Sequence, residues 1–81
     1  MKGREDSRVN WFRLFADLKQ VGFSMYAVQD RLGVPKSTLT GWKLGAEPKH
    51  SDGERMIWLW CEATLRGREE LPMIGRFDWR A

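Results

Sequence analysis

The stretch RLGVPKSTLTGWKLG, residues 31–45, decides the fold. It carries the marks of one helix ending, a glycine turn, and a second short helix. Gly33 tolerates the positive φ that a tight turn needs. Pro35 suits the first position of a helix, where its missing N–H is harmless. The predicted helix runs over residues 35–44, turns Leu39 and Trp42 inward three residues apart, and is closed by Gly45. Its other residues are poor helix formers. Ser37, Thr38 and Thr40 are indifferent, and Gly41 costs about 1 kcal/mol relative to alanine. A sequence spends such residues either on a loop or on a face that must approach something closely.

Working outward, Ser24 is a good N-cap for MYAVQDRL, a short helix with Val28 and Leu32 inward. Val34 plugs the core after the turn. Upstream, residues 1–6 read as a mobile arm. Ser7 then caps a helix over residues 8–21, in which Trp11, Leu14, Phe15, Leu18 and Val21 recur at helical spacing, with Phe12 at the edge of that face. Gly22 ends it as a C′ residue. Downstream, AEPKHSDG reads as a loop, and Ser51 or Asp52 caps a fourth helix over residues 53–65 that ends at Gly67. Residues 68–81 form an extension broken by Pro72 and Gly75. Its Met73, Ile74, Phe77 and Trp79 are too apolar for a free tail and call for docking on the domain or on a partner. The expected architecture is a single all-α domain over residues 1–81 with four to five short helices.

Composition narrows the function. The chain has 81 residues, 42% hydrophobic and 31% charged, which fits one globular domain with a modest core rather than a disordered chain. No apolar run approaches the roughly 18 residues of a membrane span, and the polar MKGREDSR start does not read as a signal peptide. A single cysteine, Cys61, allows no intrachain disulfide and fits a reducing cytoplasm. One Cys and one His cannot build a zinc finger, so no metal or other cofactor is expected. Cys61 sits in the apolar run MIWLWCEATL and reads as an inert core thiol. With no phosphate-cradling glycine loop and no nucleophile beside a base and orienter, an enzyme is not expected. The net charge of +3 suits a polyanionic partner without demanding one.

The order helix, glycine turn, helix, with Val28, Leu32, Val34, Leu39 and Trp42 inward, is what a helix-turn-helix needs. In this light GFSMYAVQDRLGVPKSTLTGWKLG resembles the helix-turn-helix of the lambda-repressor-like family of phage and bacterial regulators. The matching residues are Ser24, Val28, Leu32, Gly33, Val34, Ser37, Thr38, Leu39, Trp42 and Gly45. The resemblance covers roughly residues 8–66, with the motif at residues 24–45. Two positions depart from the pattern. Gln29 stands where the family has Ala at a close helix crossing, so it either snorkels outward or opens the crossing. Met25 stands where a Gln holds a phosphate, which puts that contact in doubt.

The resemblance implies a sequence-specific regulator that binds double-stranded DNA, encoded by a phage or prophage, with residues 35–44 in the major groove. Ser37 and Thr40 can bond base edges, and a Thr methyl can touch a thymine methyl. Lys36 and Lys43 can reach bases or phosphates, and Gly41 lets the backbone come close. The competing readings are helix capping for Ser37 and Thr38, simple solvation for the lysines, and a packing allowance beside Trp42 for Gly41. Lys49 and His50 lie in a loop that the resemblance places near the DNA backbone. Arg4 and Arg8 can add non-specific attraction or merely be solvated.

The fourth helix is apolar around most of its circumference. Ile57, Trp60, Cys61 and Thr64 are expected to face the core, and Trp58, Leu65 and Glu62 then need a second cover. That cover is either a second subunit, giving a homodimer interface of Trp58, Glu62, Leu65, Phe77 and Trp79, or the C-terminal segment itself. The alternative function is a protein-interaction module that kept the fold: antitoxin-like, anti-host or polymerase-binding.

Overall fold

The computed structural model describes residues 8–74. The chain begins with a short strand, β1 (Arg8–Val9), followed by α1 (Trp11–Gln20), α2 (Met25–Leu32), α3 (Lys36–Lys43) and α4 (His50–Thr64). A single 3-10 turn (Arg68–Glu70) leads into β2 (Met73–Ile74), which pairs antiparallel with β1, Arg8 opposite Ile74 and Val9 opposite Met73. The all-α class holds, with this two-residue ladder as the exception.

The first helix starts later than expected. Asn10 is its N-cap: the side-chain oxygen accepts from the Arg13 N–H at 3.0 Å. Arg8 and Val9 are not helical, because the extension returns beside them and the Asn10 N–H donates to the Pro72 carbonyl at 2.8 Å. Ser7 and the expected arm lie outside the described residues. At its far end α1 closes as a Schellman motif. Gly22 takes φ +99°, its N–H donates to the Lys19 carbonyl, and the Phe23 N–H donates to the Leu18 carbonyl.

The α2–α3 unit follows its sequence signals closely. Ser24 caps α2 by accepting from the Ala27 N–H at 3.2 Å, and Gly33 makes the turn at φ +71°. Pro35 stands one place outside α3 rather than within it. Its carbonyl accepts the first helical bonds, from the Thr38 and Leu39 N–H groups. Gln29 is half-buried at the mouth of a shallow depression along the turn, and Met25 packs against the core.

The fourth helix is longer at its start than expected. It begins at His50 with Lys49 as N-cap, and neither Ser51 nor Asp52 caps it. Gly53 lies inside the helix and faces inward, its α-carbon side against the Trp11 ring and Pro48. A glycine that reads as a helix start is here a packing contact. The helix ends at Thr64, before the expected Gly67, because Leu65 turns left-handed at φ +60°.

One core joins the elements: Trp11, Leu14, Phe15 and Leu18 from α1, Val28 and Leu32 from α2, Leu39 and Trp42 from α3, and Met56, Ile57, Leu59 and Trp60 from α4. The exposed Val21 falls outside it, and Cys61 and Thr64 are only partly buried. Trp60 is fully buried, yet its Nε1 donates to Asp17 Oδ2 at 3.1 Å, so the ring is enclosed without stranding its polar atom. Leu71 packs on the core's edge, which anchors the extension on the domain. Phe77 and Trp79 lie outside the described residues. Among the described residues no helix is long and apolar enough to cross a membrane.

Candidate nucleic-acid interface

Helix α3 advances 100° per residue, so burial of Leu39 and Trp42 sets the direction of every other side chain. Directly opposite the core lie Ser37, Gly41 and Leu44, with Thr40 beside them. Lys36 and Lys43 fall on one flank, Thr38 on the other. The outward strip is therefore short and flat, with Leu44 as its one large side chain, 76% exposed. Leu44 is the residue that sequence reading missed. Its position seven residues after Ser37, two turns along the same face, is the signal that could have found it.

The structure separates the explanations for Gly41. A Cβ there would meet only the Ala46 Cβ, at 4.0 Å, which is ordinary contact. No contact with a residue beyond its chain neighbours demands the glycine. The end of α3 does require one at Gly45, φ +124°, where a second Schellman motif forms: Ala46 N–H to the Gly41 carbonyl at 2.9 Å and Gly45 N–H to the Trp42 carbonyl at 3.1 Å.

The lysines on the flank are held by aromatic rings. Lys36 Nζ lies 5.1 Å from the centre of the Tyr26 ring and Lys43 Nζ 5.5 Å from that of Phe12. Both belong to one groove of about 450 Å³ between α1, the start of α2, and α3. Phe12, Phe15, Phe23 and Met25 give it an apolar floor, Lys19 adds a third ammonium, and among the described residues no carboxylate lines it. Tyr26, Phe12 and Lys19 join the candidate set from the structure; they sit on different elements, and no local pattern links them.

Positive charge is divided unevenly. Each described arginine lies within 3.9 Å of a carboxylate: Arg8 with Glu47, Arg13 and Arg66 with Asp17, Arg31 with Glu62, Arg55 with Asp52, and Arg68 with Glu54. Lys19, Lys36, Lys43 and Lys49 make no such pair among the described residues. Arg8 is thus committed to Glu47, and three of these four lysines, Lys19, Lys36 and Lys43, line the groove beside α3. Lys49 and His50 are exposed at the start of α4 and do not line the groove. Arg4 lies outside the described residues.

On the far side, Trp58 and Glu62 of α4 and Leu65, its C-cap, are all exposed. Glu62 accepts from Arg31 at 2.6 Å, so its carboxylate already has one cation. No protein-family model matches the chain, and neither a curated protein nor a solved structure is significantly similar to it.

Proposed function

We propose that this chain binds double-stranded DNA sequence-specifically, as a small transcriptional regulator of the helix-turn-helix kind, with α3 in the major groove. One observation carries the reading: a strip of small side chains on α3 flanked by lysines that, among the described residues, pair with no carboxylate, while every described arginine does. Lysines free of carboxylates attract phosphates, and a flat strip allows backbone and short side chains to reach base edges. Ser37 and Thr40 read bases. Leu44 offers an apolar surface to a thymine methyl. Lys36 and Lys43 leave the rings of Tyr26 and Phe12 for phosphates. Lys49 and His50 extend the backbone contacts, and Thr38 borders the strip. The protein works as a homodimer on two related half-sites, in the cytoplasm of a bacterial host, and blocks or recruits polymerase there. Its likeness to the lambda-repressor-like pattern supports a phage or prophage origin. Neither catalysis nor a cofactor has a part in this reading.

A second reading has its own observation. The groove's aromatic floor and lysine rim also suit an acidic peptide with an apolar anchor, which would make the chain a protein-interaction module.

Selection from a random duplex library at near-physiological salt decides between them. The DNA reading expects an enriched inverted repeat, with half-site centres about 34 Å apart, and affinity that falls steeply with salt. Weak, sequence-indifferent binding would remove the regulator reading and leave the protein-partner one.

A further inference from the structure

After His50, the exposed residues of α4 and its C-cap Leu65 fall at regular spacing. Ser51, Arg55, Trp58, Glu62 and Leu65 are all exposed, while the positions between them are buried or half-buried. Their spacing of four, three, four and three is that of a seam between paired helices. Trp58 stands out of this seam, 60% exposed, between two grooves of about 540 and 330 Å³. Cys61 and Arg68 border one groove, and Leu59 and Glu62 the other. The same face therefore carries a knob and the hollows to receive one.

The seam is complementary to itself when reversed. Ser51 and Leu65 lie seven residues before and after Trp58, so the smallest side chain would face the large exposed one. Arg55 lies three before and Glu62 four after, so cation would face anion. Leu65 adds an independent sign. It is 89% exposed and left-handed at φ +60°. That conformation costs a non-glycine residue about 1–2 kcal/mol, and among the described residues nothing packs on the side chain to offset it.

We propose that a second copy of this chain covers the seam, with the two α4 helices antiparallel about a two-fold axis at Trp58. The two tryptophans enter each other's grooves, Arg55 of each copy meets the other's Glu62, and each Leu65 rests over the other's Ser51. Arg31 and Asp52 already hold Glu62 and Arg55 in place, so little side-chain order is lost on pairing. The seam spans about 21 Å of helix. This assigns the contact behind the dimer invoked in the DNA reading, and its test uses no DNA.

Sedimentation equilibrium on the full chain should show a reversible dimer. Trp58→Ala should raise its dissociation constant at least about thirtyfold, as a hot-spot residue does. Arg55→Glu should weaken it, and adding Glu62→Arg should restore it. In a Cys61→Ser background, Ser51→Cys with Leu65→Cys should give a disulfide-linked dimer on mild oxidation, and either cysteine alone should not. A wild-type chain that stays monomeric to about 1 mM, or Ser51→Cys cross-linking by itself, overturns the arrangement. A dimer that links as stated but selects no DNA sequence would leave this inference standing and remove the DNA reading instead.

Discussion

The outward faces of α3 and α4 break opposite rules. On α3, Gly41 occupies a helix interior where alanine would be better and where a Cβ has room. On α4, Leu65 occupies a left-handed helix end where glycine would be better. Folding alone would exchange the two choices. Elsewhere Gly22, Gly33 and Gly45 stand at left-handed turns, and the other helical glycine, Gly53, lies against the Trp11 ring and Pro48. Where local preference is violated without an internal reward, the reward is sought outside the domain. The α3 violation removes a side chain and suits close approach. The α4 violation presents one and suits burial by a partner.

The largest expected effect tests the core that both faces share. Trp60→Ala should cost about 3–5 kcal/mol of stability, visible in urea unfolding, and should abolish both proposed activities together. Next comes the α3 face alone. Lys36→Ala with Thr40→Ala should lose discrimination between the selected site and random DNA by roughly tenfold or more, since a good base contact is worth about 1–3 kcal/mol. Its melting temperature should hardly move; unchanged discrimination would take α3 out of the reading role.

The comparison sharpens with the two exchanges. Gly41→Ala should stabilise the fold by up to about 1 kcal/mol, or several degrees in Tm, and still weaken DNA binding. If binding is unaffected, close approach at Gly41 is wrong. Leu65→Gly should likewise stabilise the monomer by about 1 kcal/mol and weaken the dimer. A variant that gains stability and keeps full dimerisation would show that Leu65 has no partner to meet.

The smallest effect lies at the α4 end of the extension. Arg68 donates to both oxygens of Glu54 at 3.0 and 3.2 Å, and this pairing holds the Glu54 carboxyl below its usual value of 4.5. A depressed acid contributes stability above its unfolded value and loses it as pH falls through the folded one. Glu54→Gln should therefore lose a small amount of stability at pH 7 and flatten the acid limb below about pH 4.5, where variant and parent converge. Because both side chains are open to solvent over about half their surface, a large effect at pH 7 would mean that the 3-10 turn depends on the pair more than solvent screening allows.

Much of the fold was legible from local chemistry. Ser24, Gly22, Gly33 and Gly45 mark helix ends because capping and positive φ are decided within a few residues of backbone. Leu39 and Trp42, set against Val28 and Leu32, declare the α2–α3 packing through spacing alone, and the exposure of Ser37 follows from it, with Thr40 half-buried beside it. The same locality misled at Arg8 and Gly53. A strand at Arg8 needs Met73 and Ile74, more than sixty residues away, and a glycine can lie inside α4 because the Trp11 ring packs there.

The sequence by itself determined an all-α chain with a tight glycine turn and a recognisable strip of small polar residues. Only the tertiary structure decided which cations were left over, since ion pairing depends on which carboxylate each arginine meets across the fold. It also decided that Lys36 and Lys43 rest on Tyr26 and Phe12, and that Ser51, Arg55, Trp58, Glu62 and Leu65 form the exposed line of α4. Helical periodicity names possible faces, but the face that is left outward depends on how the other helices fill the core.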